Sequence, residues 1–472
     1  MRRKKINVAV ISTALLIFAI VIWFLHTDKF TFTPASISSP PQQNNVIFIS
    51  VDTLRADHLG IYGYDRNTSP NIDNFAQDNI LFKQAITQGT LSLTSYASIF
   101  TSQYQEVHGT HGGGKERISK GLGSSALTMA EVFKAQGYKT AAFVGELHLD
   151  PKYGFDQGFD VYNSKGFSFN DSMPSAVKWL KENKNKNFFL FLQGYDAHDP
   201  YEAPEPFWHM FDPGYEGVLH DLPFHDFDSG YRSQLSIKDG NPAVKIGAEV
   251  IPLAQRDIDH VIAHYDGEIR YADYLVGQFL GTLREMELYD NSIIVIFSDH
   301  GEMIGDNINR PEGKTVRMTG HWVVTEEVIR VLLALKPPTA ESKTVLAQAQ
   351  LIDIFPTLLD FLHILPSKDL KKRIQGRSLA PAIKGNAGVD FNKYTYGNTP
   401  GRKFVRTPRW KLIHRAGASR LYDLKNDPGE TKNVRDQYPD VFEQLEEKLI
   451  EWNFVNLKKK LELAQHINSV VL

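Results

Sequence analysis

The chain has 472 residues, a formal net charge of −3 and 42% hydrophobic residues, enough to bury a large core and to divide into a main domain and a smaller one. It contains no cysteine, which excludes disulfides, a thiolate nucleophile and a thiolate-bound metal. Its near-balanced charge gives no reason to expect nucleic acid as a partner.

At the N-terminus Arg2-Arg3-Lys4-Lys5 precedes an apolar run from Val8 to Leu25, about the length that crosses a bilayer. The basic end is expected to stay in the cytoplasm and the body to face the periplasmic or extracellular side. A cleaved signal peptide is the alternative, but no small-residue cleavage site follows directly, so an uncleaved anchor is expected over residues 1–30. Residues 31–45, rich in Pro, Ser and Gln, read as a tether.

From there apolar strands alternate with helical segments, which predicts an α/β fold with a mixed central sheet covered by helices on both faces. Strands are expected at Val46 to Val51, Thr140 to Val144, Phe188 to Gln193 and Ser292 to Phe297. Helices are expected at Leu127 to Ala135, Ser175 to Glu182 and Ile258 to Glu287. Phe207 to Gln255 is aromatic- and Gly-rich with little periodicity, and reads as an irregular insertion shaping the substrate mouth. Beyond Pro337 come a helix at Leu351 to Leu362, short strands at Lys403 to Arg406, Lys411 to Ile413 and Arg420 to Asp423, and a charged helix from about Asp440 to Leu463. The division expected is a catalytic domain over 46–380 and a C-terminal α+β subdomain over 381–472.

Ligands of open α/β sheets gather at the carboxyl ends of the strands. Four strands here end in groups able to bind metal or move protons: Asp52, Gly145 to His148, Asp196 to His198, and Asp299-His300. Asp52, Asp299 and His300 supply oxygen and nitrogen donors for one divalent cation. His198 follows a buried strand and precedes an Asp-Pro step, which marks it as catalytic. His321 is a weaker candidate taken alone, and His108 and His111 beside a Gly-rich loop read as structural. Ser92 lies where a helix capped by Thr94 or Ser95 would begin, at the positive end of its dipole, where an anionic ester is welcome. A serine in a Ser/Thr-rich turn is the plainer reading of that residue.

Taken together, Val51-Asp52-Thr53-Leu54-Arg55-Ala56-Asp57-His58-Leu59-Gly60, Ser69-Pro70-Asn71-Ile72-Asp73, Ala97-Ser98-Ile99-Phe100-Thr101, Gly154-Phe155-Asp156-Gln157-Gly158-Phe159-Asp160, Ser298-Asp299-His300-Gly301-Glu302 and Asp353-Ile354-Phe355-Pro356-Thr357 resemble the signatures of the sulfatase family, within the alkaline phosphatase superfamily, in family order. The late segments Arg406 to Leu412 and Leu421 to Leu424 continue the likeness. It implies a metal-dependent hydrolase of sulfuric esters with one cation held by Asp52, Asp299 and His300. Ser92 stands at the nucleophile position, His198 at the proton donor to the leaving alcohol and His321 beside the transferring oxygens, with Arg55 and His148 as substrate contacts. Calcium is the cation the likeness favours, and a phosphoryl reading favours zinc or manganese. The substrate implied is a small-molecule, glycan or lipid sulfate or phosphate ester.

The chain departs from the pattern at telling places. Sulfatases mature a Cys or Ser to formylglycine within a Cys/Ser-x-Pro/Ala-x-Arg motif. Thr94 replaces that Pro and Tyr96 that Arg, which speaks against formylglycine at residue 92. Glu146 and His321 stand where lysines are common. Unmodified Ser or Thr nucleophiles are a feature of phosphoryl-transfer relatives, so three alternatives stay open: a phosphodiesterase or phosphonate hydrolase, a phospholipid headgroup transferase, and an anchored binding protein without turnover.

Overall fold

Alternation within each apolar strand explains the architecture. In Asn45–Val51 (β1), Ile47, Ile49 and Val51 join one buried cluster while Val46 and Phe48 join another. Because successive side chains of a strand point to opposite faces, β1 must be covered on both. The computed structural model describes residues 45–112, 119–145, 147–220, 235–238, 241–246, 248–306, 315–337, 342–386 and 391–471. The expected anchor, nearly all of the tether and Glu146 lie outside these residues. Among the described residues no helix is long and apolar enough to cross a membrane.

The central sheet has eight strands. After β1 these are Ile80–Phe82 (β2), Lys139–Phe143 (β3), Val161–Asn163 (β4), Phe188–Gly194 (β5), Ser292–Phe297 (β6), Leu333–Lys336 (β7) and Lys343–Val345 (β8). Their order is β8-β2-β7-β6-β1-β5-β3-β4. β6, β1, β5, β3 and β4 run parallel, and β7 is antiparallel to both β6 and β2. The sheet is therefore mixed, and each end of its four longest strands lies within one residue of the boundary read from sequence.

One face is covered by Pro70–Asp78 (α1), Phe169–Asn183 (α4) and the 31-residue Gln255–Glu285 (α5); the other by Ser92–Thr101 (α2), Met129–Ala135 (α3) and Ile354–Phe361 (α6). The sidedness follows from the sequence of each helix. In α2, Leu93, Tyr96, Ala97 and Phe100 recur at helical spacing and all fall in the same cluster as Phe48 and Phe191. Each fully buried side chain of this kind stabilises the fold by about 1.5–3 kcal/mol.

Beyond the sheet, Thr395–Thr399 (β9), Arg402–Arg406 (β10), Trp410–His414 (β11) and Arg420–Asp423 (β12) form an antiparallel sheet in chain order, with Pro439–Val471 (α7) after it. Val405, Leu412, Leu421, Phe442, Leu445, Leu449 and Trp452 make one core there. Strand β9 lacks a clean apolar alternation and was not among the expected elements.

Two further expectations are corrected. The stretch Phe207 to Gln255 is not wholly irregular: Leu235–Lys238, Asn241–Ile246 and Glu249–Pro252 pair with Thr315–Arg317 in a four-stranded sheet. Pro242 and Pro252 interrupt its alternation, although Leu235, Ile237 and Val244 are buried as a strand face requires. Helix α4 begins at Phe169 rather than Ser175, with Pro174 inside it. Its start is held locally by Asp171, which accepts from the Ser168 N–H at 3.2 Å, and from a distance by Asp196, just past β5, which accepts from the Phe169 N–H at 2.9 Å.

The C-terminal sheet is fastened to the main body through charge. Buried Lys411 lies 2.6 Å from Glu430 and 3.1 Å from Glu326, and Arg406 lies 2.9 Å from Glu326. Burial raises the cost of the Glu326 charge, but Arg406 and Lys411 more than offset it and hold its carboxyl below the usual range. Removing the ammonium would take away the buried cation that Glu430 and Glu326 share, and breaking a buried pair costs about 3–5 kcal/mol. Lys411→Met should accordingly lower the unfolding free energy extrapolated from urea titration by that amount, and an unchanged free energy would refute the fastening role.

Candidate active site

Strand register brings the two aspartates together. β1 and β6 pair in parallel from Asn45↔Ser292 to Ser50↔Phe297, and continuing that register by two residues sets Asp52 opposite Asp299. Both are fully buried, as is His300. One ligand atom from each of the three lies within 4.8 Å of the others. Among the sequence candidates, Asp52, Asp299, His300 and Ser92 are thus brought to one place, since Ser92 Oγ lies 3.3 Å from His300 Nε2.

The backbone around these groups is held by hydrogen bonds from several elements. Thr53 adopts a left-handed conformation (φ 52°), which costs a β-branched residue on the order of 1–2 kcal/mol. In that conformation its N–H donates to Asp299 Oδ1 at 3.4 Å, and its carbonyl accepts from the Tyr265 hydroxyl at 2.8 Å. Ser298 Oγ donates to the His300 carbonyl and accepts from Leu54 N–H. Gly301 allows a close approach: a Cβ there would meet the Glu327 carbonyl oxygen at 1.9 Å, while its N–H donates to the Val328 carbonyl at 2.8 Å.

His300 Nδ1 donates to the Gly301 carbonyl at 3.0 Å, so Nε2 carries the lone pair that faces Ser92 and Asp299. Burial, with His321 adding to it, holds the imidazole well below its ordinary pKa. A neutral imidazole beside two buried carboxylates is the donor set of a divalent-cation site, because such carboxylates otherwise repel each other in low dielectric. These residues fit the cation that the sequence pattern implies.

Ser92 is the first residue of α2, whose cap position is Leu91 without a side-chain cap. Thr94 and Ser95 do not cap as expected. Thr94 Oγ1 donates to the Leu91 carbonyl at 2.9 Å and Ser95 Oγ donates to the Asp299 carbonyl at 2.8 Å, binding helix to site. Tyr96 turns away into the core: fully buried, it lies against Phe191 and Phe297 and shares a 2.8 Å hydrogen bond with Ser50 Oγ.

His198 and His321 stand next to this group. Their ring centroids are 5.5 Å apart, and His321 is 4.4 Å from the His300 ring. His198 Nδ1 donates to the Asp199 carbonyl at 2.6 Å and lies 3.0 Å from its carboxylate. Glu302, quoted in the sequence motif without a role, joins them within 4.8 Å. Its place two residues beyond His300 was the available signal.

Arg55 lies beside the cluster, its Nη1 donating to the Glu302 carbonyl at 3.4 Å, but its charge is turned to other partners. The Arg55 guanidinium is 1% exposed and occupied by Asp57 (2.7 Å) and Asp306 (2.6 Å), so a substrate contact by Arg55 does not fit its placement. Burial works against the Asp306 charge and Arg55 more than offsets it, keeping that carboxyl below its usual range. His148 is exposed and stacks toward Tyr153 at 6.5 Å.

Comparison with known proteins agrees with this geometry. The sulfatase family model matches residues 44–364, and the model for the C-terminal part of N-sulphoglucosamine sulphohydrolase matches residues 319–454. The chain belongs to the sulfatase family, hydrolases of the alkaline phosphatase superfamily. An ulvan-active sulfatase of Formosa agariphila is 27% identical over 99% of this chain and 91% of its own length. An arylsulfatase of Clostridium perfringens is 23% identical over 83% of this chain and 90% of its own. In structure, the phosphonate monoester hydrolase of Agrobacterium radiobacter superposes with a TM-score of 0.67 at 21% identity, covering 88% of this chain and 96% of that one.

Helix α2 is steadied from behind by His108, which the sequence marks as structural. His108 Nδ1 accepts from the Thr110 N–H at 3.1 Å, so Nε2–H donates to Ser98 Oγ at 3.0 Å. Burial holds its pKa down to about 3, against 6.5 ordinarily. The folded state therefore binds fewer protons, and the stability His108 contributes is complete above pH 6.5 and is lost as pH falls toward about 3. Scanning calorimetry should show a larger fall in Tm between pH 7 and about 4.5 for wild type than for His108→Gln; equal falls would remove this account.

Proposed function

We propose that the protein hydrolyses sulfate esters of a small molecule or glycan by in-line attack of unmodified Ser92. The observation that carries this reading is the Ser92 hydroxyl at the first position of α2, 3.3 Å from His300 Nε2 and beside Asp52 and Asp299. A divalent cation bound by Asp52, Asp299 and His300, calcium being the ion favoured by the family, supplies Lewis-acid charge at the ester oxygens.

The positive end of α2 stabilises negative charge on Ser92 Oγ as its proton departs to solvent. Attack forms the Oγ–S bond and breaks the bond from sulfur to the bridging oxygen. His198, oriented through Nδ1 by Asp199, gives a proton from Nε2 to the leaving alkoxide. Water then attacks sulfur, His198 Nε2 takes one of its protons, and the Oγ–S bond breaks, Ser92 Oγ recovering a proton from solvent as sulfate is released. His321, 4.4 Å from the His300 ring, is placed to meet the transferring oxygens.

Phosphate or phosphonate esters are the second reading, supported by Thr94 and Tyr96, whose side chains serve α2 and the core rather than a maturation motif. Water attack at phosphorus frees a phosphoserine readily, whereas a sulfated serine lacks the second hydroxyl through which a formylglycine hydrate expels sulfate. The basic and apolar N-terminal segment supports activity on the outer side of a membrane. Turnover of aryl sulfates, phosphate monoesters, diesters and phosphonates should rank these substrates. Ser92→Ala and Asp299→Ala should each lower kcat by about three orders of magnitude or more, and chelation should abolish turnover; wild-type rates from Ser92→Ala would reject Ser92 as nucleophile.

A further inference from the structure

Helix α7 carries two apolar faces, and among the described residues only one is covered. Phe442, Leu445, Leu449 and Trp452 are buried in the core it shares with β10 and β11. Ile450, Phe454, Leu457 and Leu461 are each more than half exposed. Their spacing puts them on one stripe, roughly 130° around the helix from the buried face at 3.6 residues per turn. Val455, also exposed, lies off it. Alternating steps of four and three residues are the spacing of a two-helix seam, and contiguous exposed apolar surface of this kind marks an interaction site. We propose that a second copy of this chain covers the stripe, the two α7 helices running antiparallel across a two-fold axis.

Charge selects both the partner and the direction. The first half of α7 is acidic, with Glu443, Glu446, Glu447 and Glu451 against Lys448, and beyond Phe454 come Lys458, Lys459 and Lys460. An antiparallel copy lays the acidic half of each helix beside the basic half of the other, and a two-fold axis makes the match twice. Centred between residues 455 and 456, this alignment layers Ile450 on Leu461 of the partner and Phe454 on its Leu457. It also sets Glu451 beside Lys458 of the partner on one edge and Asn453 beside its Lys460 on the other. A parallel pair would put acid on acid and base on base. A lipid surface fits less well, because a helix lying on one carries basic residues along its polar face, whereas the flank of this stripe is acidic over its first half.

The apolar layers supply the attraction, and the charges at the edges set its orientation. Glu451 and Lys458 are available for this. Their contacts within the helix, to Lys448 at 2.8 Å and Glu462 at 3.9 Å, are exposed pairs of the kind that contribute little. The seam is short for two isolated peptides. Here each helix is already folded against its own β-sheet, so association does not carry the cost of forming it.

The absence of cysteine from the chain permits a direct test. Full-length chains carrying Glu451→Cys and Lys458→Cys, one of them tagged, are purified in mild detergent, mixed and mildly oxidised. A disulfide joining the two is expected in the mixture, where the second Glu451–Lys458 contact is retained, and little from either variant alone. Adding Phe454→Glu to both chains should lower the yield by about tenfold or more, with cooperative thermal melting to show the variant folded. No cross-link in the mixture, as much from each variant alone, or a yield that survives Phe454→Glu would overturn the antiparallel pair. Light scattering should give wild type the mass of two chains. A single-chain mass would leave the stripe to the N-terminal apolar segment or to lipid, and would likewise overturn the proposal.

Discussion

Two buried aspartates at the ends of adjacent parallel strands set the terms for everything around them. The register of β1 against β6 places Asp52 and Asp299 one strand spacing apart, about 4.8 Å, in a region closed to water. Like charges so placed raise each other's energy unless a cation lies between them. The fold accepts that cost and supports it: Thr53 in a left-handed conformation, Tyr265 and Ser298 bonded across elements, and Gly301 pressed against residue 327 all hold the two strand ends in one geometry. This is strain concentrated where a ligand would repay it.

Ser92, the proposed nucleophile, is positioned by the same construction. Helix α2 meets the site through Ser95 on the Asp299 carbonyl and meets the sheet through Tyr96 on Ser50. Its first residue, Ser92, is thereby fixed beside His300 without a cap of its own. The replacements at Thr94 and Tyr96, read from sequence as losses from a maturation motif, have definite structural work in this chain. That makes a plain serine consistent with its surroundings as well as with its motif.

What could be read in the sequence was whatever rests on short-range pattern. β1, β3, β5 and β6 are buried on both faces, so they appear as continuous apolar runs, and the residues just past them are the chemical ones. The grouping of Asp52, Asp299 and His300 followed from those strand ends. What escaped depends on partners distant in the chain. Arg55 looks like an anion contact until Asp306, 251 residues away, is seen to occupy it. Helix α4 starts earlier than its apolar pattern, where local Asp171 and distant Asp196 together take up its first N–H groups. The strands within residues 235–252 are short and broken by proline, and β9 depends on its pairing with β10 rather than on alternation. Glu302 was visible as a letter in a motif, but its orphaned oxygen is a property of packing alone.

The central claim is that residue 92 is a serine that itself takes up the transferred group. Mass spectrometry of the peptide carrying Ser92, from resting enzyme and from enzyme quenched in acid during turnover, tests it most directly. The account predicts unmodified serine at rest and a species about 80 mass units heavier in the quenched sample. A resting peptide about two mass units lighter, the signature of formylglycine, or a quenched sample with the added mass on another residue, would contradict it.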